Sequence, residues 1–134
     1  MNKEQMLKLL MRALAVGMGA GFGLSHLFFP GGYFSFLKQS AFNARDPFQI
    51  FLANMVGVTV IALCVGFWIA AKDPVKYRVV VIQFFVCALL TIPVFFYHLV
   101  TGALGGWEWL NLVFLIAATC AVYALYPWKS KEEK

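Results

Sequence analysis

Charge is scarce in this sequence: 13% of its 134 residues are charged, and only six of those side chains are acidic. None of the acids falls in the middle of an apolar run, so the carboxylate path of a membrane pump is missing. No two of them have the setting for paired acid–base hydrolysis. Histidine occurs twice, at positions 26 and 98. Ser25 adjoins His26, but neighbouring residues on a helix point about 100° apart, so the two do not form a nucleophilic dyad. No catalytic set emerges. Cysteine occurs three times, at 64, 87 and 120, each inside an apolar segment and never as a Cys-x-x-Cys pair. That excludes a thioredoxin-like redox motif and a zinc knuckle, and leaves three small packing residues.

Apolar length is what the chain has instead. It is 62% hydrophobic and 17% aromatic, which excludes a disordered chain and is hard to hide in one small soluble core. Four apolar helices of about 20 residues would occupy roughly 80 positions. The expected fold is therefore all-α: an integral membrane four-transmembrane-helix bundle, one domain over residues 1–134, with helices at about 7–29, 47–71, 74–100 and 107–126. Pro30-Gly31-Gly32 ends the first helix. No clear small-x-small cleavage site follows that run, so it reads as a retained helix and not a signal peptide. Asp46, Pro47 and Gln49 read as an N-cap, a first-turn proline and a capping-box partner. Asp73-Pro74 repeats the pattern at the third helix, and Pro127 stops the fourth.

The net charge of +5 is explained by position and not by nucleic acid. Lys3, Lys8, Arg12, Lys72, Lys76, Arg78, Lys129, Lys131 and Lys134 flank the apolar runs on one side, and only Lys38 and Arg45 lie on the other. This bias places both termini in the cytoplasm. Trp68 and Trp128 then fall at inner ends, and Trp107 and Trp109 at an outer end. The outer loop after the first helix carries Tyr33, Phe34, Phe36, Leu37, Ala41 and Phe42 at spacings that suit a short interfacial helix or a cover packed over the bundle mouth.

Two further patterns single out residues. Gly17, Gly19, Gly21 and Gly23 form two overlapping GxxxG steps in the first helix, which in lipid let backbones approach closely. His26 and His98 both sit near outer helix ends, roughly 5 Å inside the boundary at 1.5 Å per residue. His98 lies in line with Cys87 and Thr91, and a polar stripe on an apolar helix is expected to turn away from lipid. Both rings are accordingly expected to point into the bundle. Asn54, Glu108 and Asn111 gather at the same level. Three uses of this cluster remain open: hydrogen bonds that fix helix register, a pocket for a ligand, lipid or quinone headgroup, and axial ligation of a haem by the two histidines. A metal site would need Glu108 as a third ligand, and a glutamate at a helix start is more often a dipole partner, so no metal site is assigned.

The glycine-rich first helix, Phe29-Pro30, Gly57 and Gly66, Ala70-Ala71-Lys72-Asp73-Pro74, Arg78 and Gly102 together resemble the small four-helix DoxX-like bacterial membrane proteins. The resemblance implies a four-helix bundle in the bacterial inner membrane, sometimes associated with redox or quinone-linked partners. It supplies no catalytic residue. Two functions follow as expectations. One is a non-catalytic accessory subunit that packs, through its glycine face and aromatic loop, in a larger membrane complex or a homo-oligomer. The other is a small redox or ligand-binding protein using the outer polar cluster.

Overall fold

A computed structural model of the protein describes residues 2–37, 42–105 and 107–128, and all regular structure among them is helical. Lys38, Ala41 and the C-terminal lysines lie outside the described residues. Four helices are long and apolar enough to cross a membrane: Lys3–Phe28, Pro47–Ala70, Arg78–Val100 and Glu108–Leu125.

The first span is built of three segments: α1 (Lys3–Met18), a π-helical stretch (Gly19–Leu24) and α2 (Ser25–Phe28). It begins earlier than the hydropathy suggests because Asn2 and Gln5 form a reciprocal capping box, Gln5 N–H donating to Asn2 Oδ1 at 2.8 Å and Asn2 N–H to Gln5 Oε1 at 3.1 Å. Pro30 both ends the span and opens the next helix, α3 (Pro30–Phe36), as its first residue. The remaining spans are α4 (Pro47–Ala70), α5 (Arg78–Val100) and α6 (Glu108–Leu125). At α4 the cap is Asp46, whose carboxylate accepts from Phe48 N–H at 2.9 Å. Gln49 does not close the expected box, since its side chain accepts instead from Asn43 N–H at 2.7 Å and ties down the preceding turn. Asp73 likewise accepts from Lys76 N–H, and this turn delays the start of α5 to Arg78.

The spans run up and down in a ring: α1 against α4 and α6, α5 against α4 and α6. At the end that carries the termini the ring is closed. Leu7, Met11, Leu14 and Ala15 of α1 meet Cys64, Phe67 and Ala70 of α4, with Val81, Ala118, Val122 and Tyr126 completing one buried cluster. Arg12 lies over the Trp68 ring there, 5.8 Å from its centroid.

Towards the other end the first span leans onto α4. Among the described residues, the π-helical stretch and α2 approach α4 closely and make no backbone approach to α5 or α6. Glycine makes this possible at one crossing. A methyl group at Gly57 would stand 2.7 Å from Leu27 N and 2.8 Å from the Gly23 carbonyl oxygen, so only a residue without Cβ fits. A methyl at Gly23 would meet Ile61 at 2.8 Å, and one at Gly19 would make ordinary contact with Cys64 at 3.5 Å. Gly17 and Gly21 look elsewhere, with nothing within 4 Å of where a Cβ would be.

Candidate functional site

Pulling the first span onto α4 leaves space on its opposite side. A chamber of about 470 Å³ lies between all four spans, walled by Ala15, Gly17, Gly21 and Phe22 of the first span, Leu63 and Phe67 of α4, Phe84, Ala88, Thr91 and Phe95 of α5, and Asn111 and Phe114 of α6. The walls are almost wholly apolar, and the volume falls in the range of small-molecule sites. Asn111 and Thr91 are the side chains with strong hydrogen-bonding groups on that wall.

Asn111 belongs to a half-buried network. Its amide nitrogen donates to Glu108 Oε2 at 2.7 Å and to the Tyr33 hydroxyl at 3.1 Å. Glu108, one turn earlier on α6, is only 3% exposed. It opens α6. Tyr33 arrives from α3, which is clamped to the start of α6 by Trp107 N–H donating to the Leu37 carbonyl at 3.3 Å. Burial and the nearby Glu108 charge push the Tyr33 hydroxyl well above the ordinary tyrosine value; the Asn111 hydrogen bond offsets part of that rise.

His26 sits beside this network, 3% exposed, in a box of aromatic rings. Its ring centroid is 4.0 Å from that of Phe22, 4.3 Å from Tyr33 and 5.1 Å from Phe34, and Phe42 stacks on Phe34 from outside. His26 Nδ1 lies 2.8 Å from the Phe22 carbonyl, and since a carbonyl only accepts, Nδ1 carries the proton. Asn54 reaches the same region from α4. With its amide nitrogen facing the span's end it donates to the His26 carbonyl at 3.0 Å and the Leu27 carbonyl at 3.2 Å. The His26 carbonyl needs such a partner because the residue four further on is Pro30, which has no N–H. Asn54 is therefore a cap for the first span, and it does not line the chamber.

The sequence-predicted residues thus separate. His26, Glu108 and Asn111 come together with Tyr33; Thr91 stands on the chamber wall, deeper on α5. His98 does not join them. The expectation that both imidazoles face inward holds for His26 and fails for His98, which is exposed on α5 and, among the described residues, has a ring contact only to its neighbour Tyr97. Among the described residues the two histidines share no wall: neither lines the chamber, and α5 packs on α4 and α6 alone. Among the described residues, no group of three or more His, Cys, Asp and Glu side chains is placed to hold a metal ion. The glycines separate as well, Gly19 and Gly23 facing α4, Gly17 and Gly21 facing the chamber.

Tyr33 is the residue that sequence reasoning missed, since it counted there only as one apolar position of an amphipathic loop. Its hydroxyl in a segment expected to be covered was the available signal, because a buried tyrosine oxygen needs a polar partner. No protein-family model, no curated protein and no solved structure matches the chain. The DoxX-like resemblance therefore rests on glycines, prolines and hydropathy alone.

Proposed function

We propose that this is a membrane-embedded binding protein that holds one small, largely apolar molecule among its four spans, with the polar end of that molecule at Asn111. The observation that carries the reading is the 470 Å³ chamber ending at a half-buried, hydrogen-bonded network. Membrane bundles otherwise associate by close packing of small residues. An apolar molecule seated among these walls gains dispersion contacts with side chains of all four spans. The adjacent aromatic box and α3 act as the chamber's cover, at the extracytoplasmic side if both termini are cytoplasmic. The positive-inside bias supports that orientation.

Native mass spectrometry of the protein released from mild detergent tests this directly. Wild-type protein is expected to retain a small apolar molecule at unit stoichiometry, and Gly21→Phe to lose it. Gly21 has open space where its Cβ would be and lies on the chamber wall, so a phenyl side chain there is directed at the space the ligand would take. Equal retention by both proteins would remove the chamber as the binding site.

A second reading, an accessory subunit in a larger membrane complex or a homo-oligomer, is favoured by α5. Gln83 and His98 are exposed on that span, and neither side chain hydrogen-bonds within the described residues. Polar side chains in a membrane helix are usually covered by protein. Stoichiometric co-purification of a second chain that is lost in Gln83→Leu would support it. The two readings are compatible, because the α5 face and the chamber are different surfaces.

A further inference from the structure

We infer that the chamber selects a ligand whose polar head is a hydrogen-bond donor, a hydroxyl on an aromatic or aliphatic body, in preference to one whose head only accepts. The inference rests on the binding reading above and specifies its ligand class. It follows from what Asn111 has left to offer. A primary amide carries two N–H donors and one carbonyl acceptor. The Glu108 oxygen that Asn111 faces at 2.7 Å fixes which way round the amide lies, since a carboxylate oxygen accepts and would repel the amide oxygen. The second amide hydrogen goes to the Tyr33 hydroxyl. Both donors are spent on the protein, and Oδ1 is the remaining hydrogen-bonding atom of a side chain that lines the chamber.

An apolar alcohol or phenol entering with its head at Asn111 gives Oδ1 a hydrogen bond. A ketone, quinone or ether of the same body with its head at Asn111 sets a second acceptor against Oδ1 and leaves Oδ1 unpaired, while the Thr91 hydroxyl, the other polar group on the wall, lies deeper on α5. That asymmetry is the larger part of hydrogen-bond selectivity, because an unmade bond costs more than a made one gains. The neighbouring residues maintain it: Tyr33 holds the second amide hydrogen, and the Leu37–Trp107 backbone bond holds Tyr33's helix in place.

Two stable probes that differ only in the head decide the matter: 4-nonylphenol and 4-nonylanisole, titrated into the full-length protein in nanodiscs and corrected for partition into empty nanodiscs. Wild-type protein is expected to bind the phenol about tenfold more tightly than the anisole. Tyr33→Phe removes the acceptor for one amide hydrogen and gives the amide a free donor, so the preference should shrink to about twofold or less by tighter anisole binding. Gly21→Phe should abolish binding of both probes. Equal binding of both probes to wild-type protein, blocked by Gly21→Phe, would overturn the donor-head selection and leave the chamber as a site. Binding of neither probe, or binding that Gly21→Phe does not alter, would sink the chamber reading along with it. A phenol preference that survives Tyr33→Phe undiminished would show that Asn111 is not its source.

Discussion

The two ends of this bundle solve the same packing problem in opposite ways. At the end with the termini, α1 lies between α4 and α6, and the side chains of Leu7, Met11, Ala70, Val81 and Val122 are sealed together. At the α3 end the first span has one close partner, α4, brought so near at Gly57 that the span is drawn away from the remaining helices. Contact there is supplied by rings and by the Glu108–Asn111–Tyr33 network, which bridges a gap that aliphatic packing does not fill. One end carries stability in shape; the other carries space, with polar groups fixed at its edge. Apolar side chains alone could not have placed a carboxylate and an amide so reproducibly, because dispersion has no direction and hydrogen bonds do.

That contrast can be broken most severely at the crossing. Gly57→Leu drives a side chain into the backbone of Leu27 and Gly23 and should cost about 3 kcal/mol or more, seen as loss of the monodisperse peak in detergent. Gly17→Leu, with nothing within 4 Å of its Cβ, should keep that peak, and equal damage from both would mean that the crossing is not the tight point. Next comes the sealed end. Met11→Ala opens a cavity among rigid neighbours and should lower stability by about 2 kcal/mol or more, as read from the detergent melting curve. Phe34→Ala, in the half-open aromatic box, should cost less; the reverse order would invert the comparison.

A smaller effect is expected from pH. Tyr33 holds its proton more tightly in the folded protein than an ordinary tyrosine does, so its contribution is fully present below about 10, the value in an unfolded chain. Above that pH the unfolded state loses the proton first, and stability should fall. The decline should be weaker in Tyr33→Phe and in Glu108→Gln, which removes the charge raising Tyr33; identical alkaline melting curves for all three proteins would contradict it. The histidines give the finest test. His26→Ala empties the centre of the aromatic box and should cost about 2 kcal/mol, whereas His98→Ala should stay within about 0.5 kcal/mol in the same melting assay.

How legible each end was follows from the kind of force that shapes it. The four spans could be read because hydropathy over about 20 residues is a sum, insensitive to any one neighbour. Helix starts were legible only in part. Asp46-Pro47 marks one correctly, but Asp73-Pro74 supports an equally good turn, and only the observed Lys76 hydrogen bond separates the two. The glycine run in the first helix was visible, yet its pairing with Gly57 was not, since Gly57 and Gly66 lie nine residues apart and form no GxxxG step. His26 and His98 looked alike in sequence because depth along a helix is readable and rotation is not. The first span's π-helical stretch adds to that uncertainty, as it shifts the phase of every residue after Leu24. Tyr33 and the chamber arise from contacts between distant segments, for which periodicity carries no signal.

The π-helical stretch has one more consequence. Such segments act as a single residue inserted into an α-helix, and one residue corresponds to a rotation of about 100°. Gly19–Leu24 is therefore a gear between two clocks: α1 is timed to the sealed end, α2 to the box around His26. Winding the stretch into plain α with every residue kept would turn His26 by about 100°, whereas deleting one residue there, for example Ala20, removes the extra residue and should leave α1 and α2 on their present faces. The shortened span would still pack at Leu7 and Met11 and still present His26 to Tyr33, so the deletion tells the phase of the helix apart from its length.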